Sequence, residues 1–296
     1  MSKSSISSLT VDGSKDIDIR SFPTEIESMY DDKSDYKDQL KSWTKKLDDI
    51  QEKMYAHNRY GTLVIFQALD AAGKDSTIRA IFKQVNPHGT VFHSFKKPTS
   101  IELEHDFMWR CFKKLPERGK IGVFNRSYYE EVLVAKVHPE IVTDYQLLPS
   151  DLTDNLDLLF KNRYSDIRNF ETYLNNNGIE VVKFFLNVSK EEQGKRLIDR
   201  IKEEDKNWKF EEGDIKERAL FGKYLDAFEM ALNKTSTKDS PWYVIPADDK
   251  YNMRLLVAEI LHDRLDALPM SFPESNEKRQ KELKKYIEVI EKQNLD

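Results

Sequence analysis

The chain has 296 residues, which is long enough for one large α/β domain with a substantial core or for two small domains. Hydrophobic residues make up 39% and charged residues 33%, which excludes a disordered chain and indicates a folded protein with a highly charged surface. The formal net charge is -5, so binding of a polyanion would require local clusters of cations rather than an overall basic surface.

Cysteine content and hydropathy indicate the compartment. The single cysteine, Cys111, excludes an intramolecular disulfide and fits a reducing cytosol. No apolar run approaches the roughly 18 to 20 residues of a membrane span, and the polar start of the chain lacks the apolar region of a signal peptide. We therefore expect a cytoplasmic protein that has neither a membrane nor nucleic acid as a partner.

The first elements in chain order are an irregular segment and a long helix. Residues 1–32 are rich in Ser and Asp, which predicts a flexible N-terminal segment. A helix is predicted over about 36–56, because apolar residues recur there at steps of three and four. These residues are Leu40, Trp43, Leu47, Ile50 and Met54. The stripe indicates a helix that packs on the core or on a partner subunit.

Five short apolar runs then alternate with helical stretches. The runs lie at 62–66, 90–95, 120–124, 179–188 and 242–246. The helices are predicted at about 76–86, 100–114, 127–137, 154–177, 190–204, 214–233 and 250–266. This alternation predicts a five-stranded parallel sheet with helices on both faces, and ligands bind beyond the carboxyl ends of such strands. We expect one domain over 33–270, followed by a helical extension over 271–296.

The first strand runs into a loop that predicts a phosphate site. The candidate phosphate-binding residues are Ala71, Ala72, Gly73, Lys74, Asp75, Ser76 and Thr77. A helix N-terminus offers free N–H groups, a glycine lets the backbone approach the ligand, and a lysine neutralises transferring phosphoryl oxygens. The loop departs from the G-x-x-x-x-G-K-[ST] pattern, because Ala68 replaces the first glycine and Asp75 the hydroxyl residue. An ordinary strand–helix turn is the alternative, but the order of strand, loop and helix favours the phosphate site.

Asp70 is a candidate metal ligand within this loop. A carboxylate would repel a bound phosphate unless a cation lay between them, and Mg²⁺ is commonly held by one or two carboxylates together with phosphates. Mn²⁺ could take the same place. The alternative is a turn-forming or helix-capping aspartate.

A second strand ends in Phe124-Asn125-Arg126. Most P-loop enzymes have an aspartate here that helps to hold Mg²⁺, so Asn125 is a candidate catalytic residue and metal ligand, or alternatively a helix cap. The planar guanidinium of Arg126 suits phosphate oxygens, although a salt bridge to Glu130 one turn later is the alternative. Lys96 and Lys97 end another strand and are candidate phosphate ligands, or alternatively a solvated turn.

The helix after the fourth strand carries two further cations. Ser189 and Glu192 have the spacing of a capping box, and Arg196 and Arg200 lie four residues apart on one face. Both arginines are candidate ligands of bound phosphate, and we expect them to contribute little to thermal stability. The alternative is a solvated stripe neutralised by Glu192 and Glu204.

Seven segments together resemble the polyphosphate kinase 2 family in order over about residues 35–270. These are ALDAAGKDST, SFKKP, HDFMWR, LPERGKIGVFNRSYYEEVLVAKVHP, NVSKEEQGKRLIDR, KNWKF and SPWYVIPADDK. The resemblance implies a thymidylate-kinase-like P-loop kinase fold in three layers, with a helical lid at about 189–215. It also implies Mg²⁺-dependent phosphoryl transfer between polyphosphate and nucleotides, and it carries over Asp70, Lys74, Lys96, Arg126 and the lid arginines as site positions.

Two positions refine what this resemblance implies. With asparagine at position 125, the chain is similar to the subgroup that accepts both AMP and ADP, whereas the family's other large groups have aspartate there. Lys136 stands where many relatives have arginine and is a further candidate phosphate ligand. Because family members commonly self-associate, a homo-oligomer is expected, for which the helix at 36–56 is a candidate surface.

The predicted function is a polyphosphate:AMP/ADP phosphotransferase that acts by direct in-line transfer. An ATP-dependent nucleotide or small-molecule kinase is one alternative, because the phosphate loop alone does not separate the two. A non-catalytic nucleotide-sensing protein is another, and its support is the altered loop pattern together with Asn125.

Overall fold

The computed structural model describes residues 6–293, and within them a six-stranded sheet forms the centre of the protein. The strands are Thr10–Val11 (β1), Gly61–Ala68 (β2), Thr90–Ser94 (β3), Ile121–Asn125 (β4), Ile179–Asn187 (β5) and Trp242–Pro246 (β6). Their order is β1-β6-β5-β2-β4-β3. The five predicted strands are all present and mutually parallel, and β1 adds a sixth strand antiparallel to β6.

The helices follow the predicted alternation. They are Lys33–His57 (α1), Lys74–Ile81 (α2), Ser100–Leu103 (α3), Trp109–Phe112 (α4), Glu130–Val137 (α5), Ser150–Thr153 (α6), Leu156–Asn176 (α7), Lys190–Lys202 (α8), Glu212–Ala219 (α9), Phe221–Thr235 (α10), Lys250–Asp266 (α11) and Glu277–Gln293 (α12). Short 3₁₀ turns lie at Ile19–Ser21, Pro87–Gly89 and Asn207–Lys209, and a π-helical turn lies at Ile141–Tyr145. None of these helices is long and apolar enough to cross a bilayer, within residues 6–293.

Three layers result from the way these helices pack. One group, α1, α2 and α11, packs together, and a second group, α5, α7 and α10, does the same. The sheet lies between them, so the side chains of Leu63 to Phe66 in the central strand β2 are fully buried. This arrangement is the predicted α/β kinase fold, and it brings the carboxyl ends of the parallel strands to one edge.

The N-terminal segment is part of the domain rather than the flexible lead-in that its composition predicted. Leu9, Val11 and Ile19 are at most 3% exposed, and the Ile19 N–H donates to Glu229 in α10. The physical reason is the edge of the sheet. Without β1, the backbone groups on the side of β6 that faces away from β5 would be unpaired. Residues 1–5 and 294–296, the outer ends of the predicted terminal segments, lie outside the described residues.

Helix α1 uses its apolar stripe within the chain. Leu47, Ile50 and Met54 are buried against the core, and the ring of Tyr36 stacks on Tyr251 of α11 with centroids 4.1 Å apart. Of the two uses that the sequence left open, the structure takes packing on the core. Leu47, Ile50 and Met54 are thus used within the chain, and a role of this helix in self-association stays a prediction.

Candidate active site

A cleft of about 810 Å³ opens at the carboxyl ends of the parallel strands, where the predicted phosphate loop lies. Among the described residues that line it, ten are lysine or arginine and five are aspartate or glutamate. The ten cations are Lys74, Lys96, Lys97, Arg126, Arg196, Arg200, Lys206, Lys209, Lys250 and Arg254. An acidic protein thus gathers a strong local excess of positive charge in one place.

The phosphate loop has the backbone geometry of a ligand cradle. Gly73 caps α2 at a φ of 105°, which strains any residue with a Cβ. Ala71 also has a positive φ, 61°, which is uncommon outside functional turns. The Nζ of Lys74 lies 2.9 Å from the carbonyl oxygen of Ala68. Burial lowers the pKa of Lys74, and the positive charge of Arg126 lowers it further.

The two hydroxyl residues of the loop have different surroundings. Ser76 lines the cleft and its hydroxyl donates to the Gly73 carbonyl oxygen. Thr77 is fully buried, and its Oγ1 lies 3.8 Å from the Met253 sulfur. The prediction that Thr77 contacts phosphate is therefore wrong, because the first turn of α2 directs this side chain into the core.

Arg126 and Asp70 meet at the ends of β4 and β2. The guanidinium Nη2 lies 2.9 Å from Asp70 Oδ1, and Nη1 lies 3.5 Å from Glu130 Oε2. The negative charge of Glu130 is the main reason why the pKa of Arg126 is raised. Arg126 adopts a φ of 65°, and its N–H donates to the Phe66 carbonyl oxygen. The predicted salt bridge to Glu130 thus exists alongside a contact that places Arg126 in the cleft.

Asn125 contacts the other acidic residue of the loop. Its Nδ2 donates to Asp75 Oδ1 at 2.6 Å. Within residues 6–293, no group of three or more His, Cys, Asp or Glu side chains forms a ready metal cluster. The carboxylates of Asp70 and Asp75 and the amide of Asn125 nevertheless fit Mg²⁺, which is held by one or two carboxylates when phosphates and water supply its other ligands.

Lys96 and Lys97 reach the cleft from the end of the edge strand β3. Both side chains are exposed and line the cleft. The N–H of the preceding residue, Phe95, donates to the Asn125 carbonyl oxygen, so the lysine segment is tied to the end of β4. Both lysines thus lie on the same cleft as the phosphate loop, and their contact with phosphate stays a prediction.

Arg196 lines the cleft and also binds the backbone of the phosphate loop. It is 8% exposed, and it donates to the carbonyl oxygens of Ala72, Ala247 and Asp248 at 2.7–2.9 Å. Its Nε lies 2.8 Å from Glu192. These contacts argue against the expectation that Arg196 contributes little to thermal stability, because two buried carbonyl oxygens and one partly buried one accept from it.

The second arginine of α8, Arg200, lies at the cleft as expected, but its ion-pair partner differs from the expected one. Arg200 lines the cleft and pairs with Asp214 of α9 at 3.2 Å, not with Glu204. Ser189 caps α8 as predicted, through a bond from the Glu192 N–H. The contact between Arg200 and Asp214 joins the two helices that flank the cleft.

Lys136 is not brought to the cleft. Its Nζ lies 3.3 Å from Asp157 and 4.6 Å from the ring centroid of Phe160, both in α7. The expected phosphate contact is wrong because the last turn of α5 directs this side chain toward α7.

Four cations of the cleft were missed by the sequence reasoning. Lys250 and Arg254 begin α11, and Lys206 and Lys209 lie in the segment between α8 and α9. Lys250 lies four residues after the end of the strand at 242–246, so the rule that located the other strand-end residues could have found it. Arg254 lies one turn later on the same helix face.

Comparison with known proteins places the chain among characterised relatives. A family model described as polyphosphate kinase 2 (PPK2) matches residues 30–273. An ADP-polyphosphate phosphotransferase of Rhodopseudomonas palustris is 47% identical over 90% of this chain and 92% of its own. An AMP/ADP-polyphosphate phosphotransferase of Meiothermus ruber is 41% identical over 78% and 81%, respectively.

Solved structures agree with the sequence relatives. Polyphosphate kinase 2 from Arthrobacter aurescens TC1 has a TM-score of 0.83 and 34% sequence identity to this chain, and the match covers 95% of each chain. The family match covers β2 to β6, the phosphate loop, the strand-end cations and helices α8 and α9. The chain therefore belongs to the polyphosphate kinase 2 family.

Proposed function

We propose that the protein transfers a phosphoryl group between inorganic polyphosphate and AMP or ADP, giving ADP or ATP. The relatives named above for reactions of polyphosphate with ADP and with AMP/ADP support this proposal. The single observation that carries it is the cluster of ten lysine and arginine side chains, counted among described residues, around one cleft.

The distribution of these cations favours a polyphosphate chain over a single nucleotide. They come from the phosphate loop (Lys74), the segment after β3 (Lys96), the segment between α8 and α9 (Lys209) and helix α11 (Arg254). A nucleotide triphosphate presents three phosphoryl groups, whereas polyphosphate carries charge along its whole length, so it can engage more of these ten cations. Arginine forks and lysine ammonium groups are the side chains that bind such oxygens.

Direct in-line transfer is the mechanism that fits this site. A terminal phosphate oxygen of the nucleotide attacks the end phosphorus of polyphosphate, a new P–O bond forms, and the shortened chain leaves with the electrons of the broken P–O bond. No histidine or cysteine is among the described residues that line the cleft. Cys111 is buried away from it, and burial raises the pKa of its thiol to about 12. Lys74 and Arg126 neutralise the charge on the phosphoryl oxygens.

Asp70, Asp75 and Asn125 are the residues that would hold Mg²⁺, or Mn²⁺ in its place. The bound ion supplies neutralisation of phosphate charge. Asp70 and Asp75 are each already paired, with Arg126 and Asn125, so the loop keeps its acidic side chains oriented before substrates arrive.

Cytoplasmic location and self-association are part of the same proposal. A buried, unpaired Cys111 fits a reducing compartment. Helix α12 exposes an apolar stripe that includes Leu283, Ile287 and Ile290, so surface for self-association exists although the stripe of α1 is buried.

The decisive experiment offers polyphosphate as the sole phosphoryl donor. Purified protein is incubated with Mg²⁺, polyphosphate and either AMP or ADP, without ATP, and nucleotides are separated by chromatography. We expect ADP from AMP and ATP from ADP. Phosphorylation of AMP that requires ATP would indicate an ordinary nucleotide kinase, and absence of turnover with every donor would indicate a nucleotide-sensing protein.

A further inference from the structure

Arg110 in α4 is a buried arginine that contacts the cleft only through another residue. Its side chain is not part of the cleft lining, and the residue is 8% exposed. Its Nη1 donates to the backbone carbonyl oxygen of Lys96 at 2.7 Å, and the guanidinium carbon lies 5.6 Å from the ring centroid of Phe95. The arginine thus contacts the backbone of the segment that carries Lys96 and Lys97.

This segment requires external support. It follows the edge strand β3, and residues 95–99 form no helix or strand. Its two adjacent ammonium groups repel each other and the other cations of the cleft. The N–H of Phe95 is bound by the end of β4, and the Arg110 bond fixes a second point, the peptide between Lys96 and Lys97.

The other end of the guanidinium is anchored in the core. Its Nη2 lies 3.5 Å from Glu131 Oε1, in α5. Arg163 of α7 approaches the same glutamate at 3.8 Å and donates to its backbone carbonyl oxygen at 2.9 Å. Arg110 therefore links the lysine segment to α5, the helix that follows Arg126. Arg163 stabilises the same glutamate, and within the described part of the chain its hydrogen bonds go to Glu131 and Gln146 rather than to Lys96.

We propose that Arg110 is a positioning residue for polyphosphate binding, which acts by holding the Lys96 backbone so that the lysine side chain stays directed into the cleft. The proposal rests on the proposed use of polyphosphate. A guanidinium suits the task because its planar fork bonds two groups at once, whereas an ammonium is a compact point charge.

The test compares Arg110→Lys with Arg163→Lys as a matched control. Both changes keep the charge and disturb the same glutamate, but only the first removes the fork that reaches Lys96. A charge-assisted hydrogen bond contributes enough for about a tenfold change in affinity. We expect Arg110→Lys to raise the KM and Kd for polyphosphate about tenfold, with the KM for nucleotide and kcat at saturating polyphosphate nearly unchanged. Arg163→Lys should lower Tm and leave polyphosphate affinity at the parental value.

A double-mutant cycle with Lys96→Ala separates positioning from general stability. If Arg110 acts through Lys96, then Arg110→Lys causes no further loss of polyphosphate affinity once Lys96 is alanine. Additive losses, or an equal loss in Arg163→Lys, would overturn the positioning role. Binding of labelled polyphosphate is measured first on the parent, and a parent that does not bind overturns the proposed function and this inference together. Equal affinity of the parent and Arg110→Lys for polyphosphate overturns this inference alone.

Discussion

Lys74 is the residue whose replacement tests the chemistry most directly. It lies where the phosphate loop enters α2, with its Nζ held near the Ala68 carbonyl oxygen. We predict that Lys74→Ala lowers kcat by at least ~100-fold, the scale observed when one donor to a transition-state oxygen is lost. Steady-state kinetics on a variant with parental circular dichroism and Tm provide the measurement. Near-parental turnover in such a folded variant would remove Lys74 from the mechanism.

Asn125 tests acceptor choice. Its amide donates to Asp75, so Asn125→Asp would place two carboxylates in contact and increase the demand for a cation between them. AMP brings less negative charge than ADP, and its use relies on a site that tolerates fewer ions. We therefore predict a lower ratio of AMP to ADP activity in the variant.

The measurement for Asn125→Asp is kcat/KM for both acceptors over a range of Mg²⁺ concentrations. Asn125→Ser is a suitable control because it shortens the side chain without adding charge. Identical AMP-to-ADP ratios in Asn125→Asp and the parent would refute the role of Asn125 in acceptor choice.

At the scale of elements, Arg196 joins three of them. Its guanidinium connects α8 with the phosphate loop and with the turn between β6 and α11. Arg196→Ala would leave buried carbonyl oxygens without a donor, and each such group costs about 1–3 kcal/mol. We predict a clear fall in Tm together with a loss of kcat.

Lys195→Ala is the matched control for Arg196→Ala. Lys195 is the neighbouring residue on α8, its side chain is 62% exposed, and its partner is Glu191, a surface pair of little energetic weight. Differential scanning calorimetry should show parental Tm for this variant. A parental Tm for Arg196→Ala would show instead that the buried contacts are dispensable.

Arg200 tests the predicted lid, because its ion pair with Asp214 joins α8 to α9. Arg200→Ala should raise the KM for polyphosphate or lower kcat with little change in Tm, because its side chain is partly exposed at the cleft. Asp214→Asn distinguishes a contact with polyphosphate from a role of the ion pair, because it removes the ion pair with Arg200 and leaves the arginine side chain present. Equal losses in both variants would mean that the ion pair matters rather than a contact with polyphosphate.

At the scale of the whole molecule, the charge distribution predicts salt dependence. The net charge is -5, yet the described lining of the cleft is rich in lysine and arginine. Polyphosphate binding should therefore weaken as salt rises, because counterions are released when phosphates meet cations, as they are for nucleic-acid backbones.

The slope of log Kd against log salt measures this effect. We expect a smaller slope in Arg200→Ala, since one fewer counterion is exchanged. The control is Lys136→Ala, because Lys136 lies against α7 outside the cleft and should leave the slope unchanged. A parental slope in Arg200→Ala would place this arginine outside the polyphosphate contact.

The sequence by itself determined the features that depend on local patterns. The strand runs, the helix periodicity and the glycine turn at Gly73 are local, and a parallel sheet necessarily brings strand ends to one edge. For this reason the sequence predicts that four strand-end and loop residues lie at one cleft, namely Asp70, Lys74, Lys96 and Arg126.

The tertiary structure alone decided which way each remaining side chain faces. Arg196 and Arg200 both line the cleft, but one turn of α8 places the first against backbone carbonyls and the second beside Asp214. The contacts of Arg110 have no local signal, because its partners come from the segment after β3 and from α5. The short strand β1 exists only because the edge of β6 is there to pair with it, and pairing between distant segments leaves no periodicity in the chain.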